Sequence, residues 1–206
     1  MLLALDCSQK NITLALIESG KLVASHHELL TMQSKELLQA IDKLIKKTSH
    51  SLNDIQKILF CNGPGSFTSL RVGLATLSGL FAQEKTQCSQ VSSLLPRCYS
   101  LPDADSRLFL MKLGNQRYAC GRLKKDEFEE HLFSKSELDV WLKNIQTPIC
   151  VGGETALLEG HDLPAGSLLF EGDQIHAEAF LKLCLHSHGT SLDFTQISLN
   201  YGLSPV

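Results

Sequence analysis

The chain has 206 residues, 43% of them hydrophobic and 20% charged, with a net charge of −3. That is apolar enough for a packed core and too evenly charged for a disordered chain. The slight acidic balance offers no basic face able to grip phosphates unaided, so any role with RNA has to pass through another subunit.

In chain order, the apolar run 2–5 reads as a short buried strand. Residues 11–17 alternate as a second strand, the turn Glu18-Ser19-Gly20 reverses the chain, and residues 21–27 form a third. Ser34 is placed to cap a helix whose apolar positions Leu37, Leu38, Ile41, Leu44 and Ile45 recur at helical spacing. Lys43, Lys46 and Lys47 near its end suit the helix dipole. Residues 55–61 read as the next strand, followed by Asn62-Gly63-Pro64-Gly65-Ser66-Phe67-Thr68 and a helix over 68–83. Leu70, Leu74, Leu77 and Phe81 line one side of that helix; Val72, Ala75, Gly79 and Ala82, all small, line another. A helix apolar most of the way round is expected to be buried on more than one side. The small side can take the first helix of the same chain, a second subunit, or both.

Beyond Val91 the reading is a short helix over 92–99, a loop at Pro102-Asp103, and strands 107–113 and 116–123 joined by Gly114-Asn115. A strand over 128–133 leads to Ser134, which caps a helix carrying Leu138, Trp141 and Leu142. Residues 148–151 run into Gly152-Gly153-Glu154 and a further helix, residues 177–188 form the last helix, and 195–206 look irregular. Each half thus reads as three strands, a helix, a strand and a helix: two related α/β lobes, residues 1–95 and 96–206.

The seven cysteines are widely spaced, with no zinc-knuckle or redox pair, and several lie within apolar runs. The odd count suits a reducing compartment. The apolar start, Met1 to Leu5, is too short and lacks the basic flank of a signal peptide, and no run approaches the ~20 apolar residues of a membrane span. The expectation is a soluble, cytoplasmic chain.

Two turns can in principle cradle phosphate. In the first, Gly63 and Gly65 clear the backbone and Ser66 and Thr68 open a helix whose N–H groups are free. No Gly-Lys-Ser/Thr follows, so it is not a Walker loop, and a purely structural connection is the competing reading. In the second, Gly152-Gly153, Glu154 suits capping better than anion binding. Asp6 and Ser8, at the end of the first strand, stand where a magnesium or phosphate contact sits in a sugar-kinase lobe, or else make an Asx turn. The eight histidines make no metal site by spacing: His26-His27 alternate along a strand, and His186 and His188 are not helical i, i+4 neighbours. His176-x-Glu178 lacks the cysteines of a zinc deaminase, and no Gly-x-Ser-x-Gly elbow occurs. No catalytic residue and no metal ligand emerges.

Leu2-Leu3-Ala4-Leu5-Asp6-Cys7-Ser8, Ser34-Lys35-Glu36-Leu37-Leu38 and Gly63-Pro64-Gly65-Ser66-Phe67-Thr68-Ser69-Leu70-Arg71-Val72-Gly73 together resemble the TsaB (YeaZ-like) family over about the first 95 residues. The Gly-Pro-Gly-Ser-Phe-Thr block is specific to that family and its catalytic relative TsaD. Asp105-Ser106-Arg107 and Val151-Gly152-Gly153 are similar to its second-lobe motifs. Three positions depart from the pattern: Cys7 replaces Thr, Gln33 replaces His, and Ser69 replaces Gly.

The resemblance implies an actin/sugar-kinase-like (ASKHA) α/β fold of two ribonuclease-H-like lobes, the second reduced. It implies a non-catalytic partner, working with a TsaD-like catalytic subunit and a TsaE-like ATPase to form N6-threonylcarbamoyladenosine at position 37 of ANN-decoding tRNAs. TsaD carries the metal-binding histidines in that family. ATP, threonine and bicarbonate serve the wider pathway, none held firmly by this chain, and tRNA is met only indirectly. Contact with TsaD, or with a second copy in a homodimer, is implied for the first two helices: Leu37, Ile41 and Leu44 on one, Val72, Ala75, Thr76, Gly79 and Ala82 on the other. Asp6, Ser8, Gly63, Gly65, Ser66, Thr68, Arg71, Gly152 and Gly153 are then a vestigial nucleotide loop. The alternatives are a weak ATP-binding enzyme of the same fold, kinase- or peptidase-like, and a homodimeric module unrelated to tRNA.

Overall fold

In the computed structural model, which describes residues 1–30, 33–81, 86–114, 116–172, 175–185, 190–192 and 194–202, the chain divides into two compact units. The first comprises Met1–Ser93 and His176–Tyr201. Strands β1 (Leu2–Asp6), β2 (Asn11–Glu18) and β3 (Lys21–Leu29) form an antiparallel meander; helix α1 (Gln33–Ile45), strand β4 (Lys57–Cys61), helix α2 (Phe67–Phe81) and strand β5 (Gln87–Val91) follow. β4 returns parallel to β1 and β5 parallel to β4. The register places Leu3 beside Leu16 and Ile58, and Leu5 beside Leu14 and Phe60, so one face of the sheet is a continuous apolar layer. The period of two along the strands meets the period of 3.6 along the helices there. Leu37, Ala40, Ile41 and Leu44 of α1 and Leu70, Leu77 and Phe81 of α2 complete this core.

The second unit comprises Leu94–Ile175 with Gly202. Helix α3 (Leu94–Ser100) precedes a second meander: β6 (Ser106–Lys112), β7 (Arg117–Lys124) and β8 (Glu127–Ser134). Helix α4 (Lys135–Leu142), β9 (Cys150–Gly153) and β10 (Leu168–Glu171) follow. Its sheet order, β8-β7-β6-β9-β10, repeats the β3-β2-β1-β4-β5 of the first, with the same parallel and antiparallel neighbours. Ser134 caps α4 as expected: its hydroxyl accepts from the Glu137 N–H at 3.4 Å while its own N–H donates to Glu137 Oε2 at 2.7 Å, a reciprocal box.

Three expectations are corrected. Residues 96–206 do not form one lobe. Helix α5 (Ala177–Leu185) buries Ala177, Ala179, Phe180 and Leu183, packs on β2 and β3, and strand β11 (Thr190–Leu192) then pairs antiparallel with β5. The helix foreseen after Gly153 is a single 3-10 turn, Thr155–Leu158, because Gly160 in the left-handed region and Pro164 stop it from extending. β5, β10 and β11 were not foreseen. The last helix ends at Leu185 among the described residues, and the Asn115 corner of the expected hairpin, Ala82, His186 and His188 lie outside them. Among the described residues no helix is long and apolar enough to cross a membrane.

Candidate functional site

The turn between β4 and α2 is fastened from three sides. The Asn62 N–H donates to the Val91 carbonyl at 3.0 Å, its side-chain amide donates to the Ser198 carbonyl at 2.7 Å, and its own carbonyl accepts from the Asn200 N–H at 2.7 Å. Gly63 exchanges two hydrogen bonds with Ser93: its N–H donates to the Ser93 hydroxyl at 3.1 Å and its carbonyl accepts from the Ser93 N–H at 2.7 Å. Its φ is +114°, and a Cβ there would run into the Asn200 carbonyl, so glycine is required on both counts. A Cβ on Gly65 would strike the Ser8 carbonyl and lie 2.6 Å from the Ser8 Cβ.

The Ser66 N–H donates to the Ser8 carbonyl at 2.7 Å, and the Ser66 hydroxyl accepts from the Ser69 N–H at 3.4 Å. Two donors at the helix start, the Ser66 and Ser69 N–H groups, are therefore used within the chain. The turn pins α2 against the end of β1.

Asp6 and Ser8 are buried there, the Ser8 hydroxyl donating to Asp6 Oδ2 at 3.3 Å. Between them Cys7 points at Gly73 of α2 and donates weakly to the Ser69 carbonyl at 3.4 Å. Burial, then the neighbouring Asp6, push its thiol pKa well up, so it behaves as an inert packing group. Asp6, Ser8, Gly63, Gly65, Ser66, Thr68 and Arg71 all lie at this end of the first unit, with Thr68 exposed. Gly152 and Gly153 belong to the second unit. There a Cβ on Gly152 would meet Leu101 at 2.6 Å and the Phe109 ring at 3.1 Å, and one on Gly153 would meet the Leu110 carbonyl. They are packing glycines between β9 and its neighbours.

Arg71 does not turn toward Asp6. Its guanidinium stacks on the Phe67 ring, 3.9 Å from the centroid, and its Nε donates to the Tyr201 hydroxyl at 3.2 Å. Phe67 and Tyr201 pack with centroids 4.5 Å apart. Sequence reasoning missed this cluster because Arg71 and Tyr201 lie 130 positions apart.

The two helices sort the expected contact residues. Leu37 and Ile41 are 1% exposed and Leu44 is 0%, all within the unit's own core, so they cannot face a partner. The periodicity that reveals α1 marks the side it buries on the sheet. On α2 the small residues do face outward: Ala75 and Gly79 are exposed, Val72 and Thr76 partly so, and a Cβ added at Gly79 meets nothing within 4 Å. Leu38 of α1, 52% exposed, and Phe67, 49%, add apolar surface to the pair.

Histidines in the first unit serve local pairs. His27 Nδ1 shares a hydrogen bond with Thr13 at 3.0 Å, and His26 and Lys43 both hold Glu28, His26 being the larger cause of its lowered pKa. In the second unit His161 and Lys135 both reach Asp139 Oδ1 at 2.9 Å. Among the described residues no three His, Cys, Asp or Glu side chains are placed to hold a metal ion.

The family model described as TsaD, tRNA N6-adenosine threonylcarbamoyltransferase, matches residues 26–101. The tRNA threonylcarbamoyladenosine biosynthesis protein TsaB of Haemophilus influenzae is 34% identical over 79 residues, 38% of this chain and 34% of that protein. The Bacillus subtilis TsaB is 29% identical over 165 residues, 76% of this chain and 72% of its own length. The chain is similar to proteins of the TsaB (YeaZ-like) family.

The alignment spans only about a third of the Haemophilus relative, while the structural likeness is end to end. YeaZ from Pseudomonas aeruginosa superposes with a TM-score of 0.76 at 21% identity, covering 95% of this chain and 96% of that one. A putative N-acetylglucosamine kinase from Porphyromonas gingivalis gives a TM-score of 0.53 at 9% identity, over 91% of this chain and 99% of that one. The chain therefore has the α/β, two-lobed actin/sugar-kinase-like fold.

Proposed function

We propose that the chain is a non-catalytic partner subunit in N6-threonylcarbamoyladenosine formation at position 37 of ANN-decoding tRNAs. It docks a TsaD-like catalytic subunit, with a TsaE-like ATPase completing the set. The observation that carries this reading is the outward face of α2: Val72, Ala75, Thr76 and Gly79 present a low helical surface that another helix can approach closely, and Leu38 of α1 and Phe67 are exposed as well. Helices whose contact positions are small pack at the short end of the 8–10 Å range of interaxial distances. A homodimer formed through the same face is the resting alternative to the complex, so docking and self-association compete.

The turn supports the non-catalytic half of the reading, since the Ser66 N–H and the Gly65 approach that an anion would need are taken by Ser8. ATP, threonine and bicarbonate enter through the other subunits, and tRNA is met indirectly, in a reducing cytoplasm where seven free thiols persist. The test is reconstitution from purified TsaD-like and TsaE-like proteins with tRNA, ATP, threonine and bicarbonate. Modified adenosine should appear only when this chain is added. A mixture equally active without it refutes the role, and calorimetric binding of Mg-ATP to the isolated chain would restore the enzymatic alternative.

A further inference from the structure

Arg71 is the one charged residue in α2, at the end of the exposed line Arg71, Ala75, Gly79. Its partners among the described residues are an aromatic face and a phenol, neither of which neutralises it. A guanidinium carries five N–H donors in a planar fork, and Tyr201 occupies Nε. The stack on Phe67 at 3.9 Å holds the plane in place, so little rotamer freedom is left to lose when a ligand arrives. A pre-oriented fork of this kind matches the two oxygens of a carboxylate.

Nucleic acid fits less well. Phosphate backbones are held by several cations together, whereas the polar side chains grouped near this turn, Asn62, Gln90 and Ser198, are neutral. The Phe67 ring that might stack a base is already packed by Arg71 and Tyr201.

We propose that Arg71, braced by Phe67 and Tyr201, determines specificity at the α2 face by receiving a carboxylate side chain of the protein that docks there. This rests on the docking role proposed above, and the occupant is the catalytic partner's contact helix, carrying an Asp or Glu beside small residues. The Gly79 end then fits by shape and the Arg71 end selects by charge, a division that distinguishes this partner from a helix that merely fits.

The test titrates the purified TsaD-like subunit by calorimetry into the full chain and into Arg71→Glu, Arg71→Gln, Arg71→Lys, Tyr201→Phe and Gly79→Leu, with circular dichroism confirming each fold. Arg71→Glu should weaken binding about tenfold or more and abolish most of its salt dependence. Arg71→Gln should fall between it and wild type, and Arg71→Lys and Tyr201→Phe should each lose several-fold, the first by losing the fork and the second by losing the brace. Should Arg71→Glu stay folded and bind within about twofold of wild type with unchanged salt dependence, the proposal is overturned. If Gly79→Leu alone blocks binding, the docking face stands and Arg71 is dismissed from it; if neither variant matters, the docking face itself is wrong. An Arg71→Glu effect confined to self-association, or to tRNA retention, would also overturn it by naming a different occupant.

Discussion

Gly73 sits where α2 leans on the end of β1. A Cβ built there would overlap Cys7 Sγ and lie 3.1 Å from the Phe60 ring. Cys7 and Phe60 are 0% exposed, and the thiol is held toward the Ser69 carbonyl, so neither can swing clear. Gly73→Ala therefore sets two opposing terms against each other. Overpacking a tight core contact costs about 1–3 kcal/mol, while alanine is about 1 kcal/mol better than glycine inside a helix. With a sulfur in direct overlap the upper part of the first range applies, giving a net loss of about 1–2 kcal/mol.

Removing the sulfur should reverse the sign. In a Cys7→Ala background the added methyl enters vacated space and the helix term remains, so Gly73→Ala should be neutral or stabilising by up to about 1 kcal/mol. The coupling between the two sites is then about 1–3 kcal/mol, within what contacting pairs show. Urea unfolding of the four proteins, followed by circular dichroism with reductant present, measures it directly. Equal losses in both backgrounds, or stabilisation by Gly73→Ala alone, would refute the claim that Cys7 and Gly73 set how closely α2 approaches the sheet.

Gly79→Leu should stabilise the isolated chain by about 1 kcal/mol, because the site is open and helical. It should at the same time weaken the complex by about 1–3 kcal/mol through overpacking, whereas Leu44→Ala should cost about 2–5 kcal/mol of folding stability; thermal melts beside affinity measurements separate the two. Ser134→Ala should lower Tm by about 2–4 °C at neutral pH. The backbone bond from Ser134 and then its hydroxyl hold Glu137 below its ordinary pKa, so that stabilisation is complete above the unfolded value and lost as pH falls through the lower folded one. The Tm gap between wild type and Ser134→Ala should therefore narrow as pH falls below about 4, without closing, because the bond from the Glu137 N–H to the Ser134 hydroxyl does not titrate. Burial raises Cys88 and Cys98 to about 12 and leaves only Cys184 outside the fully buried class, so at pH 8 native protein should react slowly with a thiol reagent at one site and denatured protein at all seven.

The parts legible in the sequence are those with local causes. The meander, α1, α2 and the α4 cap follow from alternation, helical spacing and the Ser134–Glu137 box, each readable within a dozen residues. β5 was hidden because Gln87-Cys88-Ser89-Gln90-Val91 has the polarity of a loop; it is a strand because β4 and β11 pair with it on both sides. The 3-10 turn after Gly153 shows the reverse, a helix start cut short within a few residues. At the site, the strand-to-helix turn was legible, but its fastening by Asn200 and Ser198 was not, nor was the placing of Arg71 on Phe67. Leu37, Ile41 and Leu44 were assigned outward only by analogy with helix contacts, against the periodicity that buries them.

The return of His176–Tyr201 to the first unit has a consequence for how the protein is made. While the ribosome is still translating the middle of the chain, β1 to β5 can gather, but the β5 edge waits for β11, β2 and β3 wait for α5, and the Gly63 corner waits for Asn200. The first unit to be started is thus completed after the second, and the helix proposed to meet the partner is fully fastened only once residues 176–201 have emerged. A chain interrupted before residue 176 would lack the strand that pairs with β5, the helix that packs on β2 and β3, and the Asn200 bond that fastens the Gly63 corner.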